Sequence, residues 1–295
     1  MENELSSSRQ AAYEVRLKHF IQEALAEDIG DGDHSTLCCI AAGQQGAALL
    51  VAQSSGILAG VHVAQAIFRW LDPHCQMEIF KHDGDSIRPG DPVLQIAGSL
   101  RTILSAERLV LNCMQRMSGI ATLTRKYVDL LAGSHTRLLD TRKTTPNFRL
   151  LEKEAVRIGG GVNHRMGLYD YIMLKDNHID ACGSIGEAIR RAKAYLHQHQ
   201  LSLPIEVETR NLEDVRQALK AGGIQRLLFD HFSPQEVKQA VEMVNGACET
   251  EASGNIDLHN LKAYAATGVD FISVGALTHQ AVSLDMHLKY LSSAP

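Results

Sequence analysis

Apolar residues recur at helical spacing between Ala11 and Glu27, where Val15, Leu17, Phe20, Ile21 and Leu25 fall on one stripe. That spacing predicts an amphipathic helix. Between residues 45 and 100 the pattern shortens. Apolar runs of strand length are cut by Ser55-Gly56, Asp83-Gly84, Pro89-Gly90-Asp91 and Gly98, all turn signals, and a helix is expected over His62 to Leu71. This block reads as a small α+β domain. A long helical stretch follows from Leu104 to Leu131, with Gly119 as an expected break. Beyond Gly133, strand-like runs alternate with helical ones. The expected strands are Arg137–Asp140, Tyr171–Leu174, Ile205–Glu208, Arg226–Asp230, Cys248–Ala252 and Phe271–Gly275. Ser184 with Glu187, and Ser233-Pro234 with Glu236, have capping-box spacing. Asn211 and Asp257 are further N-cap candidates, and Gly222 and Gly268 stand where helices should end.

Strands alternating with helices imply a parallel sheet with right-handed crossovers. Six units in this length fit an α/β barrel, complete or not, better than an open doubly wound sheet. Lys143, Lys175, Glu208, Asp230, Ser253 and Gly275 each lie at or just past a strand end, with gaps of 32, 33, 22, 23 and 22 residues. Strand ends of that kind face one mouth, where barrel enzymes build their sites. The expected division is an α+β domain over residues 1–117 and a barrel domain over 118–280. A C-terminal helix over 281–295 is expected to pack back on the first domain.

Composition narrows the class. The chain has 295 residues, 45% hydrophobic and 21% charged, as in an ordinary globular protein. Aromatics are 5%, with Trp70 the single tryptophan, and the net charge is −5, which argues against nucleic-acid binding. The six cysteines show no CxxC spacing and are expected to be reduced and mostly buried. The first ten residues are polar and no apolar run reaches 18 residues, so a cytoplasmic enzyme without a membrane segment is expected.

The net charge hides a local reversal. From Arg137 to Arg165 there are seven basic residues against three acidic ones, a balance of +4. Arg142-Lys143 follows a strand and stands among hydroxyls. Gly159-Gly160-Gly161 leads into Asn163-His164-Arg165. Guanidinium forks, ammonium groups and glycine-exposed amides together suit an anionic ligand. The glycine run is not a dinucleotide fingerprint, and no phosphate-loop GK[ST] exists. Lys175 follows an apolar strand directly. Glu206 and Glu208 share one strand face, with Asp230 and Glu251 on later strands. Buried carboxylates need a lysine or a metal, and Mg²⁺ favours carboxylates with substrate phosphates. Ser253-Gly254 and Gly275-Ala276 suit a phosphate cradle. Asp28 to Asp33 resembles a calcium loop but has no Glu at its twelfth position, so it reads as a turn.

Taken together, Asp140-Thr-Arg-Lys-Thr-Thr-Pro146, Gly159-Gly-Gly-Val-Asn-His-Arg165 and Lys175-Asp-Asn-His178 resemble the quinolinate phosphoribosyltransferase family. Arg101-Thr102, Glu107-Arg108, Glu206-Val-Glu208, Glu251-Ala-Ser-Gly254 and Val274-Gly-Ala-Leu-Thr-His279 extend the resemblance. The resemblance implies transfer of phosphoribosyl from phosphoribosyl diphosphate to quinolinate with decarboxylation, giving nicotinate mononucleotide, diphosphate and CO₂ for NAD synthesis. It implies that Arg101 (from a neighbouring subunit), Arg142, His164 and Arg165 hold the carboxylates. Lys143 and Lys175 would act as catalytic cations, and Glu208 and Asp230 would meet the ribose and Mg²⁺. Ser253, Gly254, Gly275 and Ala276 would cradle the 5′-phosphate. A subunit made of an N-terminal α/β sandwich domain and an incomplete α/β barrel is implied, as is a homodimer with shared active sites, with growth to a hexamer left open. The rival readings are a nicotinate-type phosphoribosyltransferase and a non-catalytic anion-binding barrel.

Overall fold

The computed structural model describes residues 2–291, with side chains described from residue 10. Its elements in chain order are α1 (Glu2–Ile29), α2 (His34–Cys39), β1 (Gln45–Ala52), β2 (Gly56–Ile57), α3 (Val61–Leu71), β3 (Gln76–Ile79), β4 (Ser86–Ile87), β5 (Pro92–Ser99) and α4 (Leu100–Leu130). These are followed by β6 (Arg137–Leu139), α5 (Arg149–Ile158), β7 (Ile172–Leu174), α6 (Asp176–Cys182), α7 (Ile185–Gln198), β8 (Ile205–Thr209), α8 (Leu212–Ala221) and β9 (Arg226–Asp230). The last are α9 (Pro234–Val244), β10 (Glu249–Ser253), α10 (Leu261–Ala265), β11 (Phe271–Ser273), α11 (Ala276–His279) and β12 (Met286–Leu291).

Two compact units form. The first takes the chain through Arg125, then Thr144–Gly160, then the residues from Gln280 onward. The second takes Lys126–Lys143 and Gly161–His279. A single cut at 117/118 therefore does not describe them. Residues 144–160 join the first unit because α5 and its approach pack on α1. Phe148 meets the Phe20 ring edge-on at 5.5 Å, and buried Glu152 accepts from Arg116 at 3.0 Å and from the Thr145 amide at 2.9 Å.

The first unit holds an antiparallel sheet in the order β12-β1-β5-β3. β1 alternates, burying Ala48, Leu50 and Ala52, as expected of a strand with one face on a core. The closing segment is the strand β12, not the expected helix, and pairs antiparallel with β1 from Ala47↔Leu291 to Ala52↔Met286. The backbone groups on that edge of β1 find their partners there. Residues 292–295 of the expected helix lie outside the described residues. Gly119 does not break α4. A Cβ there would fall 2.1 Å from the Val282 carbonyl oxygen, so the glycine serves a close chain crossing within a continuous helix.

The second unit holds a six-stranded parallel sheet in the order β6-β11-β10-β9-β8-β7, an open-edged α/β sheet of the incomplete-barrel kind. All six expected strands are present. Ser184, Asn211 and Ser233 cap their helices by accepting from Glu187, Asp214 and Glu236 amides. Asp257 does not cap α10. It accepts from the His259 and Asn260 amides and closes a turn before the helix, whose N-cap is Asn260. All six cysteines are free, but only Cys113 is buried, and Cys38 and Cys39 are exposed. Among the described residues no helix is long and apolar enough to cross a membrane.

One polar cluster ties α1 into the first unit. The Tyr13 hydroxyl donates to Glu154 and meets His62 Nε2 at 2.8 Å. His62 also lies 3.1 Å from Glu154 and, through Nδ1, 2.9 Å from Asp83, which accepts from the Val61 amide. Burial opposes charging His62, but its hydrogen bonds to Asp83 and Glu154 outweigh this and hold it at about 9, against an ordinary 6.5. A raised pKa gives stability that is complete below the unfolded value and is lost as pH rises through the folded value. The melting temperature of the wild type should therefore fall between pH 6.5 and about 9. His62→Asn should melt lower at pH 6 and show a flatter profile across that window. Parallel profiles in a thermal-melt series would remove His62 from the account.

Candidate active site

The register of the second sheet explains its chemistry. In the paired strands Glu206 stands opposite Arg226, and Arg226 opposite Glu249. One step further, Glu208 stands opposite Leu228, Leu228 opposite Glu251, and Glu251 opposite Phe271. Side chains two apart share a face. The inner face therefore carries Glu206, Glu208, Arg226, Asp230, Glu251 and Ser253. Val207, Leu227, Phe229 and Ala252 occupy the other face and are buried as an apolar layer.

Arg226 is the hub of the lower row. It reaches Glu251 at 3.0 Å and Glu249 at 2.9 Å, and lies 4.1 Å from the Phe271 ring centroid. Burial weighs against its charge, but Glu251 and Glu206 outweigh this and raise its pKa. Glu251 is wholly buried. The cost of burying its charge is overcome by His164 and Arg226, which hold it below the usual carboxylate range. Burial and the Glu251 charge push Glu206 up.

His164 stands beside these carboxylates, with its side chain 6% exposed. Its Nε2 lies 3.1 Å from Glu206 and 3.4 Å from Glu251. Burial opposes ring protonation, while hydrogen bonds to Glu206 and Glu251 favour it, up to about 9. The Arg165 amide approaches Nδ1 at 2.6 Å. The donor atoms of His164, Glu206 and Glu251 lie within 4.8 Å of one another, as a metal trio would. Arg226 and His164 already balance these carboxylates, so the trio reads as an ion-pair cluster.

The loop carrying His164 is set by Asp140 at the end of β6. Asp140 is fully buried and accepts from the His164 amide at 2.8 Å and from Asn163 Nδ2 at 2.6 Å. Arg165 donates from Nη1 to the Tyr171 carbonyl at 3.4 Å. Burial and the neighbouring Arg142 charge lower its pKa, so the two guanidinium groups share one region of the mouth.

The upper row lies at the carboxyl ends of the strands. Lys175 Nζ reaches Glu208 at 2.5 Å. Asp230 is pushed up by burial and by the Glu208 charge, with Lys175 and Lys143 pulling the other way. Those lysines follow β7 and β6, the two edge strands, so the sheet curves far enough for both to act on one carboxylate of a central strand. The Thr278 hydroxyl donates to the Lys143 carbonyl at 2.9 Å, joining the loops after β6 and β11. Gly254 has φ +97°, and a Cβ there would lie 2.7 Å from the His231 ring. At Gly275 a Cβ would meet the Lys143 side chain at 3.0 Å. Ser253, Gly254, Gly275 and Ala276 thus lie at the ends of β10 and β11.

Arg101 belongs to the first unit. It lies in the first turn of α4 and forks onto the Ile40 carbonyl from Nε at 2.9 Å and Nη2 at 2.7 Å. Arg142, Lys143, His164, Arg165, Lys175, Glu208 and Asp230 all belong to the second unit. Sequence reasoning left out Arg226 and the organising part of Asp140. An arginine opening the apolar strand Arg226-Leu-Leu-Phe-Asp was the available signal for the first.

A model of the quinolinate phosphoribosyl transferase N-terminal domain matches residues 33–118, and one of its C-terminal domain matches residues 120–289. The chain belongs to the quinolinate phosphoribosyltransferase family. Its relatives include the Arabidopsis thaliana chloroplastic nicotinate-nucleotide pyrophosphorylase (carboxylating), 45% identical and covering 92% of this chain and 82% of that one. A probable nicotinate-nucleotide pyrophosphorylase of Bacillus subtilis is 44% identical over 93% of each chain. The crystal structure of NadC from Streptococcus pyogenes superposes with a TM-score of 0.87 at 40% identity, covering 94% of this chain and 98% of that one.

The lower row yields a stability test. Removing one partner of a buried pair leaves an uncompensated charge and costs about 3–5 kcal/mol. Arg226→Met should lose stability on that scale in denaturant unfolding, and adding Glu251→Gln should recover part of it. An unchanged midpoint for Arg226→Met would show the pair to be energetically idle.

Proposed function

We propose that the protein transfers the phosphoribosyl group of phosphoribosyl diphosphate to the ring nitrogen of quinolinate, with loss of CO₂, giving nicotinate mononucleotide and diphosphate. The observation that carries this reading is a mouth with two kinds of charge: the Arg142–Arg165 cation pair and the Glu208 and Asp230 carboxylates, all at carboxyl ends of one parallel sheet. A diacid matches the first, and the sugar of an activated ribose phosphate matches the second.

Arg142 and Arg165 hold the two carboxylates of quinolinate, with Lys175 beside them. Like charges packed together raise the energy of the empty site, and a dianion relieves it. The bond between the anomeric carbon and the diphosphate oxygen breaks with its electron pair leaving on diphosphate, while the pyridine nitrogen bonds to that carbon. Glu208 and Asp230 face the ribose as positive charge develops, and Lys143 and Lys175 face the departing anion. When the adjacent carboxylate departs as CO₂, its bonding pair stays on the ring carbon as a carbanion that the quaternary, positive ring nitrogen stabilises, and a proton then adds to that carbon. Ser253, Gly254, Gly275 and Ala276 hold the 5′-phosphate. The protein's part is orientation and fixed charge.

Glu208 and Asp230 also fit Mg²⁺. Burial and a like charge push Asp230 up, the condition that a divalent cation relieves. When bound there with the diphosphate, the ion would neutralise part of the leaving group's charge. Arg101 is assigned to the neighbouring copy's site, which makes the working form a homodimer. The six unpaired cysteines fit a cytoplasmic setting.

Purified protein with quinolinate, phosphoribosyl diphosphate and Mg²⁺ should yield nicotinate mononucleotide and CO₂, and nicotinate in place of quinolinate should not. Arg142→Ala and Arg165→Ala should each lower kcat/KM for quinolinate by about 100-fold or more, the loss of a charge-assisted bidentate contact. Folded protein that releases neither product would overturn the activity, and unchanged kinetics in both variants would overturn the clamp.

Subunit mixing tests the shared site. Arg101→Ala and Lys175→Ala should each be inactive alone. Refolded together, they should regain about a quarter of wild-type activity, because half the dimers then contain one intact site. A mixture as inactive as its parts would place Arg101 within its own subunit's site or outside both.

A further inference from the structure

The cysteines take no part in the activity proposed above, and they differ in what they offer a reagent. Cys113 is buried, and burial pushes its thiol up to about 12. Cys248 is half-buried, and burial with the Asp270 and Glu249 charges pushes it up to about 11. Cys38 and Cys39 are the exposed ones. They close the short helix α2, and their Sγ atoms lie 3.5 Å apart. The Cys38 thiol also donates to the Ser35 carbonyl at 3.3 Å, within the same helix. Two adjacent thiols are thus held side by side at the surface, where soft, sulfur-seeking species can reach both.

The geometry selects among such species. Bonded sulfurs stand about 2.05 Å apart and usually join Cα atoms at least about 4.4 Å apart. Consecutive Cα atoms across a trans peptide are about 3.8 Å apart. A direct Cys38–Cys39 disulfide would therefore distort the last turn of α2, whereas an atom set between the sulfurs would not. At sulfur bonds of about 2.3 Å, the 3.5 Å separation gives an angle of about 100° at the bridging atom. That is the pyramid of a three-bonded atom with a lone pair, narrower than the tetrahedron of zinc. Zinc also takes four ligands and must displace the proton of each thiol. Here the hydrogen bond to Cys38 and the Cys38 charge raise the Cys39 thiol and oppose the second loss. Among the described residues the one group of three candidate donors is His164, Glu206 and Glu251, so no third side chain joins the cysteines.

We propose that Cys38 and Cys39 form a dithiol site for a trivalent arsenical that carries one organic substituent. Such a centre needs two sulfurs and no third protein ligand. In its dihydroxy form each As–O bond breaks and an As–S bond forms in its place. Each hydroxide leaves with a thiol proton as water. Arsenic stays trivalent, nothing is oxidised, and no free proton is released. The site is independent of the phosphoribosyl transfer and does not rest on it.

Phenylarsine oxide, whose hydrate is such a dihydroxy compound, is the probe. An equimolar amount is added to the reduced full-length protein, and intact-mass spectrometry should find one phenylarsenic group per chain. Alkylation in denaturant with peptide mapping should then find Cys38 and Cys39 protected and the other cysteines labelled. The adduct should survive excess mercaptoethanol and be released by ethanedithiol, because only a dithiol can replace a two-sulfur chelate. Cys38→Ser and Cys39→Ser should each weaken retention by about 100-fold or more, since the second sulfur no longer attacks within the same molecule. Cys75→Ser and Cys182→Ser should retain the probe like the wild type. Melting curves on the same preparations check folding, and Cys38→Ala and Cys39→Ala replace a serine variant that fails to fold. Release of the wild-type adduct by mercaptoethanol would overturn the proposal. So would undiminished retention in either single variant, or protection of Cys75, Cys182 or Cys248 in place of the pair.

Discussion

Charge matching inside the parallel sheet is the constraint on which the rest of the site depends. Glu206, Glu208 and Glu251 are buried carboxylates on the inner face, with Arg226 beneath and His164 and Lys175 at their sides. Unmatched, any one of them would cost several kcal/mol. The matching works only in one register, with Glu206 opposite Arg226 and Arg226 opposite Glu249. A slip by one residue would turn the charges toward the helices and bring Leu227 and Phe229 inward. The ion pairs therefore select a register as well as occupy a core.

The same arrangement prepares the mouth. An anion site made of surface cations would collect counterions and relax between turnovers. Here Asp140 fixes the loop of His164 and Arg165, Glu208 fixes Lys175, and the Lys143 carbonyl is tied to Thr278. Reorganisation is thereby completed during folding, the condition under which fixed charge contributes most to a reaction. The first unit uses the same device at lower burial, where His62 links Asp83, Glu154 and Tyr13.

Local signals carried much of this to the sequence reader. Alternation gave all six parallel strands, and Ser184, Asn211 and Ser233 announced their helices because a cap is decided within three residues. Two readings failed where the cause lay far along the chain. Gly119 looked like a helix break, and its reason is the carbonyl of Val282. Residues 286–291 looked helical, and β1 makes them a strand. In the site, the clusters around Arg142, Arg165, Lys175 and Glu208 were legible from charge at strand ends. The ion pairs behind them were not, because the partners of Arg226 stand on neighbouring strands and no local pattern states their register. The direction of the His164 nitrogens is likewise a property of the packed sheet.

The pairing of β12 with β1 also bears on how the molecule comes to be made. These strands lie near opposite ends of the described chain, yet they complete one sheet. Throughout synthesis β1 presents one edge without its neighbour, while the parallel sheet of the second unit, made from Arg137 to Ser273, can already be complete. Domains usually fold in the order in which they emerge. In this chain the unit that emerges first is the last able to close, and until then β1 offers an unpaired edge to other chains.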